Sequence, residues 1–416
     1  MSTAGGRRVL YVDLAYTHEI VVRKGHQNFF ETRHSGGLFE HVWGVHPLAD
    51  IAGSESKAIR TIEFSPSQTI IEGVSRSRDW PRLLAPLDLL LSQFALVRLL
   101  LRIIKREKVD LIVATDPVYS GLIGLILKRF SGRPLAVGIY ANYDLAYETF
   151  GVVAMPRLIP SFKVQSFISG RVLRAADLVI GGNQDNLNWG LKHGANPGSA
   201  AVIPIARNVQ PCHMADPATR GDPDEALAAL GIPLGRKYLL MISRLIPVKF
   251  AEDGVKAMIH ALKQSDQLVG IVAGDGSMRA ELEALVAAEG LAGRILFIGH
   301  VDQEMLSRII PRAVTVSPLT GMALVESGLG GSPAVAYDAD WQAEFVENGV
   351  NGYIVPMWDY RQLGQKALEL ALDEGLRARM STAMREIARR RADRDEIAKL
   401  EREVFGRVLD RNAKAA

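Results

Sequence analysis

The stretch AVTVSPLTGMALVESGLGGSPAVA, Ala313–Ala336, decides the fold. Val314–Val316 and Ala334–Ala336 are short β-prone runs, and Met322–Gly330 between them carries a helical repeat. A strand, a crossover helix and a second strand form the βαβ unit of a parallel sheet. The turn Ser317-Pro318-Leu319-Thr320-Gly321 opens the helix, with Thr320 expected as its N-cap. The free amides of Gly321, Met322 and Ala323 then form the positive end of a helix, a site suited to phosphate. Glu326, one turn on, shares a face with Met322 and offers a carboxylate that accepts two hydrogen bonds from a diol.

The same pattern extends upstream. Tyr238–Ile242, Val269–Ala273 and Ile295–Ile298 read as strands, alternating with helices at about Asp253–Lys263, Arg279–Glu289 and Glu304–Ile310, and Tyr360–Glu374 follows. In such sheets ligands lie beyond the carboxyl ends of the strands. Arg244 and Lys249 follow the first of these strands and suit a diphosphate, the arginine as a fork and the lysine as a point charge. Gly274-Asp275-Gly276 follows the second, and Gly299-His300-Val301 the third, where exposed backbone groups can read a nucleobase edge.

The first half repeats the βα alternation. Arg8–Leu14, Leu111–Ala114, Leu135–Ile139, Leu178–Gly181 and Val202–Ile205 are expected strands, with helices at Leu83–Arg106 and Gly121–Phe130. The chain has 416 residues, more than one core usually spans. The expected division is a first domain over 1–211, a Pro/Gly/Asp-rich linker over 212–236, a second domain over 237–385 and a helical segment over 386–416 that returns to the first domain. The fold class is α/β, with two Rossmann-like doubly wound domains facing across a cleft.

Composition narrows the function. A net charge of +3, with no basic run interleaved with aromatics, does not point to nucleic acid. The single cysteine, Cys212, leaves no disulfide or cysteine-based zinc site within one chain. The N-terminal MSTAGGRRVLYVDL lacks a long apolar leader region, so a cytoplasmic location is expected. Leu83–Ile104 is apolar but carries Pro86, Asp88, Arg98 and Arg102, so it is a poor membrane span. It reads as a buried helix or as one lying on a membrane face, its cations toward headgroups.

At this point the chain resembles the family 4 retaining glycosyltransferases, of the two-Rossmann GT-B type. The likeness runs over about Tyr238–Pro356. It rests on Arg244-Leu245 with Lys249, on Gly274-Asp275-Gly276 with Leu282-Glu283, and on Gly299 to Leu306. It continues through Glu326 with Gly331-Ser332-Pro333-Ala334-Val335-Ala336, and through Asn348-Gly349 with Asn351-Gly352-Tyr353-Ile354-Val355-Pro356. The resemblance implies transfer of a sugar from a nucleotide sugar, with retention, to a hydroxyl acceptor, one candidate being lipid-linked. The donor-binding set it implies is Gly36, Gly37, Gly274, Gly299, His300, Val301, Thr320, Gly321, Met322, Ala323, Leu324 and Glu326. Arg244 and Lys249 would stabilise the leaving diphosphate, so no metal or other cofactor is required, and Asp338-Ala339-Asp340 is discounted as a metal motif. The acceptor-side candidates are Asn142 and Asp144, in the loop where the family often has a histidine, and Asp116, which closes the preceding strand and could orient an acceptor hydroxyl or act as base. The family's first paired glutamate falls at Pro318. That departure keeps two other readings open: a degenerate sugar-nucleotide sensor or scaffold, and an epimerase or hydrolase.

Overall fold

The computed structural model describes residues 6–23 and 27–415. Met1–Gly5, part of the N-terminal stretch read above, lies outside them. The chain divides into two units: 1–143 with 153–208 and 394–416, and 144–152 with 209–393.

The first unit holds an eight-stranded sheet. Its strands are β1 (Arg7–Val12), β2 (Phe39–His46), β3 (Arg60–Ser65), β4 (Gln68–Glu72), β5 (Leu111–Ala114), β6 (Leu135–Ile139), β7 (Leu178–Gly181) and β8 (Ala200–Val202). The order is β3-β4-β2-β1-β5-β6-β7-β8, with β3 alone antiparallel. β1 lies between β2 and β5, so the chain winds outward in both directions, the doubly wound pattern. The last strand ends at Val202, not Ile205, because Pro204 has no amide for the ladder. The β3–β4 hairpin was not foreseen: Arg60–Ser65 reads RTIEFS and is too polar to stand out as an apolar run.

The second unit holds a six-stranded sheet. Its strands are β9 (Lys237–Ile242), β10 (Leu268–Ala273), β11 (Ile295–Gly299), β12 (Ala313–Ser317), β13 (Ala334–Tyr337) and β14 (Gly352–Val355). They run parallel in the order β11-β10-β9-β12-β13-β14. Leu239, Met241, Val272, Val314 and Val335 join fully buried residues of the helices Ala251–Leu262 and Tyr360–Leu372 in the core.

The division corrects two expected boundaries. Residues 212–236 are not a linker but part of the second unit. They contain the helices Pro211–Met214 and Pro223–Ala229, the latter capped by Asp222, and Leu227 and Ile232 are buried in the core. Arg220 fastens the segment by donating to the carbonyls of His213, Ala215, Ser307 and Leu329. A Pro/Gly/Asp-rich composition describes turns and caps as well as linkers. At the other end, Glu374–Arg391 stays with the second unit, and the first unit takes up the chain at Arg394. The helix Arg394–Ala415 packs there, Phe405 edge-on to Phe39 with ring centroids 5.9 Å apart.

Candidate functional site

The carboxyl ends of β9, β10 and β11 are laced together by backbone bonds. The Ser243 amide donates to Ala273 O at 3.0 Å, and that of Gly274 to Gly299 O at 2.7 Å. The loop after β9 also crosses that after β10, with the Leu245 amide on Asp275 O and the Met278 amide on Leu245 O, both at 3.0 Å. Here the glycines are required. Gly274 has φ +136°, and an added Cβ would lie 1.9 Å from Ser243 O. The close backbone approach expected of this turn is therefore to the neighbouring loop.

These loops and the start of the helix Met322–Leu329 surround a cavity of about 480 Å³. Of the expected residues it brings together Arg244, Lys249, Gly274, His300, Val301, Thr320, Gly321, Met322, Ala323 and Glu326. Leu324 turns into the core, fully buried, and Gly299 serves the backbone lacing; neither lines the cavity.

Thr320 is not the N-cap. Gly321 takes that place, and no side chain caps the helix. The Thr320 hydroxyl is instead 2.7 Å from Ser317 Oγ inside a buried network. Gln342, fully buried, organises it. Its Oε1 accepts from Ser317 Oγ at 2.7 Å and from the Thr320 amide at 3.3 Å, while Nε2 donates to Pro318 O at 2.6 Å and Tyr337 O at 3.2 Å. This brace leaves the first helix amides facing the cavity with no capping side chain, the arrangement that attracts an anion. Pro318, where the family has a glutamate, is buried, and a Cβ on Gly254 would lie 3.1 Å from its Cγ. It is a packing residue and lines no part of the cavity.

The charges around the cavity are unbalanced. Arg244 is exposed and Lys249 half-buried, and neither has an ion-pair partner among the described residues. Burial, then the charge of Arg244, hold the Lys249 ammonium below its ordinary pKa, and Asp340 acts in the opposite sense. Phe250 follows Lys249 with φ 50°, uncommon for a bulky residue. Its ring is held edge-on between Phe150, Tyr337 and Trp358, at centroid distances of 5.1, 5.7 and 4.8 Å. Packing thus fixes the turn that presents Lys249. Glu326 lies 8% exposed with no cation beside it among the described residues, and burial raises its carboxyl to about 7.

The first-unit candidates fare differently. Gly36 and Gly37 precede β2, so they lie at the amino edge of a parallel sheet, opposite the ligand edge. A Cβ on Gly36 would meet Arg402 and Ala398 of the C-terminal helix, and Gly36 O accepts from Arg402 at 3.1 Å. Their positive φ values, +62° and +85°, serve a turn. Asp116 does sit at the carboxyl edge, but its carboxylate accepts from the amides of Val118, Tyr119 and Ser120 at 2.8–3.3 Å and so starts the helix Tyr119–Ser131. Asn142 donates to Asp185 at 3.1 Å. Asp144 belongs to the segment 144–152 of the second unit and lines no part of the cavity. His34, His41 and His46 bond to Phe39 O, Thr69 and Leu14 O within the first unit.

Residues 222–387, all within the second unit, match the family Glycosyl transferases group 1. The two-sheet α/β architecture is the GT-B fold: the chain aligns over 97% of its length with Anabaena HepE (TM-score 0.70, 20% identity, all of that chain). It aligns over the same share with sucrose-phosphate synthase of Thermosynechococcus elongatus (TM-score 0.75, 17% identity, 99% of that chain). Among curated proteins it is 27% identical over 251 residues to D-inositol 3-phosphate glycosyltransferase of Nocardiopsis dassonvillei, covering 57% of this chain and 56% of the relative. It is 26% identical over 151 residues to alpha-D-kanosaminyltransferase of Streptomyces kanamyceticus, covering 35% and 39%. The chain thus spans about half or less of these relatives' length.

Proposed function

We propose that the protein transfers a glycosyl group from a nucleoside diphosphate sugar to a hydroxyl acceptor. The observation that carries this reading is one cavity holding helix amides at Gly321–Ala323 that no side chain caps, two cations without ion-pair partners among the described residues, and the buried Glu326 with no cation beside it among them. The diphosphate sits against the amides, Arg244 and Lys249, and the ribose diol donates to Glu326. Leaving-group departure concentrates negative charge on the diphosphate, which these fixed groups stabilise, so the proposal invokes no metal. Anabaena HepE structures hold UDP and UDP-glucose, which supports a uridine donor. Retention follows the family resemblance and is read from the anomeric configuration of the product. Incubation of the chain with a nucleotide-sugar panel, with and without acceptor extracts, tests the reading. Acceptor-dependent release of nucleoside diphosphate supports it. Consumption of donor alone points to an epimerase or hydrolase, and binding without turnover to a sugar-nucleotide sensor.

The acceptor side favours a lipid surface. On the helix Ala85–Arg106 and the turn before it, Leu83, Leu87, Leu90 and Phe94 are 90, 47, 67 and 60% exposed along one stripe. Arg98, Arg102 and Lys105 continue that stripe as exposed cations. The helix's one acidic residue, Asp88, is turned inward onto Ser77, Arg78 and Ser92. An apolar stripe running into cations matches an anionic membrane surface. No helix among the described residues is long and apolar enough to cross a membrane.

A further inference from the structure

We infer that Gln303, oriented by His213, selects the nucleobase of the bound nucleotide, favouring bases with a keto oxygen at pyrimidine position 4 or purine position 6. The inference rests on the reading of the cavity as a nucleoside diphosphate site, and adds which base it takes.

Gln303 opens the helix Gln303–Ile309, just past His300 and Val301, and lines the cavity with them and Leu306. With the diphosphate on Gly321–Ala323 and the ribose on Glu326, the base lies toward this wall. The half-exposed amide of Gln303 is therefore available to the base edge. A free glutamine would discriminate nothing, because its amide presents either an oxygen or an NH₂ by rotating.

His213 removes that freedom. It is fully buried, and its Nε2 is 2.7 Å from Gln303 Oε1. Burial holds the ring neutral, its pKa lowered to about 4. A neutral imidazole carries its proton on one nitrogen only. Nδ1 is buried with no hydrogen-bond partner among the described residues. A proton there would strand an N–H donor inside the protein, whereas a bare lone pair is the lesser penalty. The proton therefore belongs on Nε2, where it is donated to Gln303 Oε1. That fixes Gln303 with its oxygen turned away and its NH₂ toward the cavity. Arg220 holds His213 in place, donating to its carbonyl at 2.6 Å.

An NH₂ at the cavity wall pairs with the keto oxygen of uracil or guanine. Against cytosine or adenine it meets another NH₂, and both donors lose their partners. A hydrogen bond of this kind, or its loss, is worth about tenfold in affinity.

Titration calorimetry of the full chain with UDP, GDP, CDP and ADP tests the inference, using the wild type, Gln303→Leu, Gln303→Glu and His213→Phe. Gln303 is half-exposed at a helix start, where glutamate is well tolerated, so Gln303→Glu keeps the fold; Gln303→Leu leaves the His213 N–H without its partner at about 1–3 kcal/mol, which the melting temperature of the variant monitors. Expected is a preference of at least about tenfold for a keto-base nucleotide in the wild type. Gln303→Leu brings the ratio to about one with CDP affinity little changed, and Gln303→Glu turns the preference toward amino bases. His213→Phe, which frees the amide to rotate, lowers the ratio while binding persists, an effect loss of packing alone would not give. An unchanged ratio in Gln303→Leu overturns the inference and leaves the donor-site reading standing. Absence of binding by all four nucleotides to the wild type overturns the donor-site reading and this inference with it.

Discussion

Gln342 donates through Nε2 to the carbonyl oxygen of Pro318 at 2.6 Å, across 24 residues of sequence. The same side chain accepts from Ser317 and Thr320, so one buried amide holds the turn that precedes the uncapped helix. Gln342→Leu leaves those buried groups unsatisfied, each at about 1–3 kcal/mol. The variant should be destabilised by at least about 3 kcal/mol in urea denaturation and should bind nucleotide more weakly. Unchanged stability would mean the network contributes nothing.

Glu326 gives a pH signature. Burial raises its carboxyl from 4.5 to about 7. The folded chain therefore holds this proton more tightly than the unfolded chain. The resulting stabilisation is full below about pH 4.5 and is lost as pH rises through 7. Glu326→Gln escapes that loss. Without ligand, it should exceed the wild type by about 2–3 kcal/mol near pH 8 and match it near pH 4.5. Equal offsets at both pH values would contradict the assignment.

The same group sets the ligand's pH profile. The diol donates to the ionised carboxylate, so wild-type nucleotide affinity should rise with pH through about 7. In Glu326→Gln that rise should flatten, as followed by calorimetry across the range.

Arg244 is exposed and has no ion-pair partner among the described residues, so Arg244→Ala should leave the melting temperature nearly unchanged. Its loss should lower turnover about 10²–10³-fold, the scale of removing one fixed charge-stabilising donor. Full activity in this variant would remove Arg244 from the reaction.

The exposed stripe on Ala85–Arg106 predicts separable behaviour. Leu90→Glu with Phe94→Glu should change stability by less than about 1 kcal/mol, because both side chains are solvated. It should abolish cosedimentation with vesicles containing anionic lipid. Cosedimentation equal to the wild type would remove the lipid-facing role.

Much of this was legible in the sequence because the signals are local. Strand β12, the small-residue turn and the helix after it lie within one stretch; β9 and β10 end at Ile242 and Ala273, which line the cavity, and the lining residue His300 follows β11 directly. What escaped depends on distance in the chain. Gln342 and Pro318 are 24 residues apart and His213 and Gln303 are 90, with no periodicity linking them. Gly36-Gly37 looked like a phosphate loop because a glycine pair carries no sign of which sheet edge it occupies; only the parallel register of β1 with β2 sets that. Thr320 had the composition of a cap, but its hydroxyl pairs with Ser317 Oγ and its backbone amide donates to Gln342.

The central claim is that the second unit binds a nucleoside diphosphate through Glu326 and the uncapped helix. A thermal-shift screen of the wild type and Glu326→Ala against nucleoside diphosphates and their sugars tests it most directly. At ligand about a hundredfold above Kd, binding to the folded state alone adds about 2.7 kcal/mol, or roughly 5–10 °C for a unit of this size. The account predicts such a rise with one nucleotide in the wild type and none in Glu326→Ala. No rise with any nucleotide, or an equal rise in the variant, would contradict it.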